Sequence, residues 1–190
     1  RNAPLGPTMR RRAGSTRISA RLNRGVTTAH TSSLPAHGPA RLAQRIARDL
    51  FGLIARATPL SSERDQNFRL VSDDGLAFVL KIANAGEDRG MLEAENAAMR
   101  HLAGTGLTPA PVPTPAGDDL ARFDRYFVRL ITGLDGRPLG DTPRQSDALL
   151  ADLGRSVALV DRALATFDRP ALHRTFHWDL ANAAAVVGQR

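Results

Sequence analysis

Leu76-Ala77-Phe78-Val79-Leu80-Lys81-Ile82 is an apolar, strand-forming run interrupted by a single charge. Lys81 is the only lysine in the chain; the other 25 of its 26 basic side chains are arginines. The two residues do different work, since lysine is a compact ammonium on a thin stem and arginine a wide planar fork. One reading makes Lys81 a point charge aimed at something narrow, such as a nucleotide phosphate. The other makes it a snorkelling side chain on an edge strand. Both place it on a β-strand.

Working outward, Phe68-Arg69-Leu70-Val71, the turn Asp73-Asp74-Gly75 and the run Ala77 to Ile82 predict a β-hairpin. Upstream, Leu42, Ile46, Leu50 and Ile54 recur every four residues and predict a helix from Ala40 to Ile54, with Gly52 near its end and Thr58-Pro59 breaking the chain beyond it. Downstream, Met91 to Leu102 predicts a second helix, stopped by Gly104-Thr105-Gly106. Thr108 to Gly117 holds four prolines, too many for a helix or a central strand. Arg125 to Leu130 is a further strand and Gln145 to Phe167 the longest helix, with an apolar stripe of Leu149, Leu150, Leu153, Val157, Val160, Leu164 and Phe167. A mostly antiparallel sheet with one helix against it, followed by a helical region, is an α+β plan.

Composition narrows the function classes. The chain of 190 residues has a net charge of +7, but residues 1–35 carry seven arginines and no acid. Beyond them, 19 cations face 19 acids. Residues 1–36 therefore read as a disordered basic tail. An organelle-targeting peptide with Ile18, Leu22 and Val26 at helical spacing and a nucleic-acid or membrane-surface arm are the alternatives. No aromatic interleaves these arginines, so no nucleic-acid partner is expected. No run is long and apolar enough for a membrane span. The absence of cysteine fits a cytoplasmic location. His173 and His177 lack the neighbouring acid that a zinc-peptidase helix needs, and no metal-ligand cluster is predicted.

Three features converge on Lys81. The loop Ser61-Ser62-Glu63-Arg64-Asp65-Gln66-Asn67 before the hairpin can offer hydroxyls and backbone N–H groups to an anion, or serve as plain turn chemistry. Lys81 lies on the second strand of the hairpin. Glu93 and Glu95 follow on the next helix, and an ammonium leaving water needs a carboxylate beside it to stay charged.

This ordered set (Ser61-Ser62-x-Arg64-Asp65-Gln66-Asn67-Phe68, Val79-Leu80-Lys81-Ile82, Glu95 to Leu102, Pro109 to Pro113, Tyr126 to Leu130, Gly136-Arg137-Pro138-Leu139) resembles the N-terminal lobe of the aminoglycoside phosphotransferase/choline kinase-like family, which has the protein-kinase-like fold. Asp65-Gln66-Asn67-Phe68 and Phe176-His177-Trp178-Asp179-Leu180 are most similar to the hydroxylysine-kinase-like branch, which also occurs fused to class III aminotransferases. The resemblance covers roughly Ala40 to Ala183. It implies a nucleotide-binding N-lobe with hinge over 37–132 and the start of a helical C-lobe over 133–190, with the chain, which opens on Arg1 and stops just past the apolar run Ala183 to Val187, expected to be a fragment.

The resemblance also implies residue roles. Ser61, Ser62 and Asn67 would cover the phosphates of ATP. Lys81 would contact the α- and β-phosphates, and Glu95 would pair with Lys81. Arg129 to Thr132 would be the hinge, with the backbone of Arg129 and Leu130 among the nucleotide contacts. The family's catalytic loop reads His-Gly-Asp-x-x-x-x-Asn. Here His177-Trp178-Asp179-Leu180-Ala181-Asn182 has Trp in place of Gly, and Asn follows Asp by three positions rather than five, so Asp179 is only a weak candidate for the base. The ligands of Mg²⁺ are expected beyond the end of the chain. The implied activity is ATP-dependent phosphoryl transfer to a hydroxyl of a small amino-bearing acceptor. The alternative is a non-catalytic kinase-like binding or regulatory module, within a fused aminotransferase polypeptide or alone.

Overall fold

The computed structural model describes residues 38–174, 180 and 183–188. The basic tail and the segment holding Asp179 lie outside the described residues. Helix α1 (Pro39–Phe51) opens on a proline in its first turn and ends at Gly52, whose left-handed φ of 67° turns the chain. Three strands follow: β1 (Ala55–Leu60), β2 (Gln66–Ser72) and β3 (Ala77–Ile82). Helix α2 (Arg89–His101) is capped by Asp88, whose carboxylate accepts the N–H of Met91 at 2.8 Å. Then come β4 (Pro111–Val112), β5 (Ala121–Phe123), β6 (Tyr126–Thr132), helix α3 (Asp147–Leu164) and a short α4 (Ala183–Val187).

The strands form one antiparallel sheet in the order β1-β2-β3-β6-β4, with β5 also paired to β6. The predicted hairpin is β2–β3, in the register Asn67↔Lys81, Phe68↔Leu80 and Leu70↔Phe78. Strand β6 continues it, Leu80 facing Leu130 and Lys81 facing Arg129. Lys81 is thus on an inner strand rather than an edge. Three strands escaped the sequence reading: β1, β5 and the two-residue β4, whose Pro111 lies in the proline-rich stretch and is accepted at the far edge of the sheet. Thr58-Pro59 was expected to break the chain, yet both lie within β1, where Pro59 faces Phe68. An outermost strand tolerates proline because its missing N–H can fall on the unpaired side. Strand β5 joins β6 through Asp124-Arg125, with Asp124 at a positive φ of 54°, a position that short polar residues accept in tight hairpins.

Strand alternation divides the sheet's residues between two faces. Phe68, Leu70, Leu80, Ile82, Val128 and Leu130 share one face and are 0–3 % exposed. Helix α1 covers this face with Leu42, Ala43, Ile46, Ala47 and Phe51, and its Arg45 stacks on Phe123 of β5, 5.9 Å from the ring centroid. Asn67, Lys81 and Arg129 share the opposite face, which carries α2. The sheet therefore has a helix on each face where the sequence predicted one helix against it.

Helix α3 matches the predicted long helix, with Ser146 capping its start through the N–H of Leu149. Its stripe does not enter a core: Leu149, Leu150, Leu153 and Val157 are 37–51 % exposed. Its C-terminal end meets α2, where His101 Nε2 donates to the carbonyl of Ala163 at 2.7 Å and its ring lies 5.3 Å from that of Phe167.

Candidate functional site

The site lies where α2 crosses β3 and β6. Lys81 is half-buried there, and with Glu95, Ala98, Met99, Arg129 and Ile131 it lines a cavity of about 310 Å³. The helix contributes Glu95 and Met99 one turn apart, and the strands contribute Lys81, Arg129 and Ile131 by alternation. Ala98, Met99 and Ile131 make the wall apolar around two cations and one carboxylate.

The partner of Glu95 differs from the expected one. Glu95 was expected to pair with Lys81; its Oε2 instead accepts a hydrogen bond from Arg129. Arg129 is 5 % exposed, and a guanidinium so deeply buried needs a counter-charge more than a half-buried ammonium does. Its other branch donates to Oδ1 of Asn96 at 3.2 Å. Among the described residues Lys81 forms no ion pair, although it shares the cavity wall with Glu95. Glu93 points elsewhere: it pairs with Arg89 along the outer side of α2.

The hinge expectation also shifts. Arg129 and Leu130 sit inside β6, between β3 and β4, with Val112 opposite Leu130. Their backbone belongs to the ladder. The sheet ends one step later: Thr132 N–H donates to Ala110 O at 2.9 Å and Gly133 N–H to Ala77 O at 2.7 Å. The contribution of Arg129 to the site is its side chain.

The turn between β1 and β2 stands beside Lys81, because Leu60 faces Asn67 and Asn67 faces Lys81. Ser61 and Ser62 are exposed there. The turn is braced from both ends. Asn67 Nδ2 donates to Ser62 Oγ at 3.0 Å, while Asp65 Oδ1 accepts from the backbone N–H and the side-chain amide of Asn84, at 3.1 and 3.3 Å. Asn67 Oδ1 is buried with no hydrogen-bond partner among the described residues. The bracing by Asp65 and Asn84 was not read from the sequence, and a separation of 19 positions hides it from any local signal.

An anion fits this arrangement: an ammonium without an ion pair among the described residues, a second cation already matched by a carboxylate, and a turn of two hydroxyls beside them. For a divalent cation the described residues hold no cluster of three or more carboxylates or imidazoles.

Residues 56–189 match the phosphotransferase enzyme family. The chain belongs to that family. Hydroxylysine kinase of Mus musculus is 32 % identical over 163 residues, covering 74 % of this chain and 43 % of the relative. Hydroxylysine kinase of Bos taurus is 30 % identical over 161 residues, with 73 % and 43 % covered. The match therefore spans less than half the length of these relatives. Two solved structures share the fold: an amicoumacin kinase in complex with AMP-PNP and Ca²⁺ (TM-score 0.58, 16 % identity, 74 % of this chain and 44 % of that one) and a spectinomycin phosphotransferase in complex with ADP and spectinomycin (TM-score 0.52, 14 % identity, 70 % and 39 %). The kinase-like α+β lobe expected from the sequence is the fold observed.

Proposed function

We propose that the Lys81 face of the sheet binds the phosphates of ATP, and that the phosphotransferase to which this lobe contributes acts on a hydroxyl of a small amino-bearing molecule. The observation that carries this reading is the shared cavity of Lys81 and Glu95 beside the Ser61–Ser62 turn. The named activity of the curated relatives, phosphorylation of an amino acid that bears a hydroxyl, supports the acceptor class.

In this mechanism Lys81 neutralises the α- and β-phosphates as a point charge, and Glu95 limits where the ammonium can swing. Ser61 and Ser62 donate hydroxyl and backbone N–H groups to phosphate oxygens from above. Asn67 closes the turn on Ser62, so the donors are arranged before the ligand arrives. The adenine lies toward the end of β6, where Thr132 leads into Gly133 and the nucleotide-binding lobe of residues 37–132 gives way to the helical region. A divalent cation, Mg²⁺ in the cell, would supply further charge neutralisation when bound, with its ligands expected beyond the end of this chain. Asp179 is the candidate within this chain for the group that accepts the hydroxyl proton.

Titration with a non-hydrolysable ATP analogue tests the reading. Lys81→Met is expected to weaken binding by up to about a hundredfold, the size of a charge-assisted contact to phosphate lost from a partly buried site. Unchanged affinity would remove the nucleotide assignment.

A further inference from the structure

Arg129 was expected to offer a nucleotide its backbone, yet its side chain is the only charged one in the buried core of the described residues. The guanidinium forks onto two consecutive residues of α2, one branch to Glu95 Oε2 and the other to Asn96 Oδ1. Asn96 is itself 2 % exposed, and its Nδ2 donates to the carbonyl of Asp119 at 3.1 Å. That second bond sets which end of the amide faces Arg129. The helix is thereby tied through one guanidinium to the centre of β6, at the position opposite Lys81.

The geometry points to Arg129 as a positioning residue for the lysine site, an inference that rests on the nucleotide reading of Lys81. Arg129 does not touch the phosphate. It holds the Glu95 carboxylate at the cavity wall before any ligand arrives, through a fork that lysine cannot reproduce. Glu95 remains 42 % exposed, so one oxygen serves Arg129 while the rest of the carboxylate faces the cavity that Lys81 also lines. Lys81 is then repelled by the guanidinium and attracted by Glu95, and both forces restrict where its ammonium can stand. Two cations around one carboxylate leave a single net positive charge, which an entering phosphate neutralises.

The test uses the full chain and the same ATP analogue, with thermal melts as the folding control. Arg129→Lys keeps the charge but loses the fork, and affinity should fall about tenfold. Glu95→Gln should produce a loss of similar size. The double variant should lose no more than the worse single one, because Arg129 acts through Glu95. A purely structural role would lower the melting temperature without that non-additivity. Asn96→Asp asks the same question with both original charges in place: it offers the guanidinium a rival carboxylate, so affinity should again fall severalfold. This second variant decides the matter if Arg129→Lys does not melt cooperatively. If Lys81→Met abolishes binding while Arg129→Lys and Asn96→Asp bind like the parent, or if the Arg129 and Glu95 losses add, the positioning role is overturned and the nucleotide site stands. If Lys81→Met binds normally, the nucleotide reading has itself failed.

Discussion

On one face of the sheet Leu70, Leu80, Val128 and Leu130 are 0–1 % exposed under α1. On the other face, one residue along each strand, stand Asn67, Lys81 and Arg129 beneath α2. Both faces come from the same three strands, so their difference is pure alternation. The first face stabilises by removing apolar area from water and tolerates no vacancy. The second keeps charges partly out of water and satisfies the deepest of them, Arg129, from a helix. It contributes less to stability and holds the residues proposed to meet the nucleotide. A lobe built this way can change its ligand without disturbing its core.

That separation can be broken most forcefully at Leu80. Leu80→Ala should destabilise the fold by about 3 kcal/mol, since a fully buried leucine leaves both lost transfer energy and a cavity. Urea unfolding measures this, and the molecules still folded should bind the ATP analogue as the parent does. A large affinity loss in the folded fraction would show that the two faces are coupled.

Gly133→Ala probes where the faces end. A Cβ there would stand 2.7 Å from Ala77 Cβ and 2.9 Å from the Ala77 backbone. Backbone cannot give way as a flexible side chain can, so about 2 kcal/mol of stability should be lost, read by the same unfolding curve. Asp88→Ala should cost about 1 kcal/mol by removing the cap of the helix that carries Glu95. Its effect on nucleotide affinity should be small, because Arg129 still ties α2 to β6; a loss as large as that of Arg129→Lys would shift the positioning role to the cap.

The smallest effect belongs to the β2–β3 turn, remote from both faces. The hydroxyl of Ser72, and then the N–H of Leu76, hold the Asp74 carboxyl below the usual aspartate range. A folded-state pKa below the unfolded one means that the stabilisation is present above the unfolded value, about 4, and is lost as pH falls through the lowered one. Melting temperatures compared between pH 6 and pH 2 should therefore fall slightly less for Asp74→Asn than for the parent.

How far the sequence was legible depended on how local each signal was. The hairpin, both N-lobe helices and strand β6 were readable because alternation, helical spacing and the turn Asp73-Asp74-Gly75 act over a few residues. Strand β1 was not, because Pro59 breaks an inner strand but is accepted at an edge, and edge position is a property of the assembled sheet. The apolar stripe of α3 was visible as a pattern, yet no pattern tells whether something covers it. At the site, Lys81 stood out as the sole lysine and Glu95 through the family resemblance. Arg129 was one arginine among 25.

The sequence by itself determined the alternation that sends Leu80 and Lys81 to opposite faces, and the single ammonium available to an anion. Only the tertiary structure decided that Glu95 answers Arg129. The competition between two cations for one carboxylate is settled by their relative burial, and burial exists only once α2 has closed over β6.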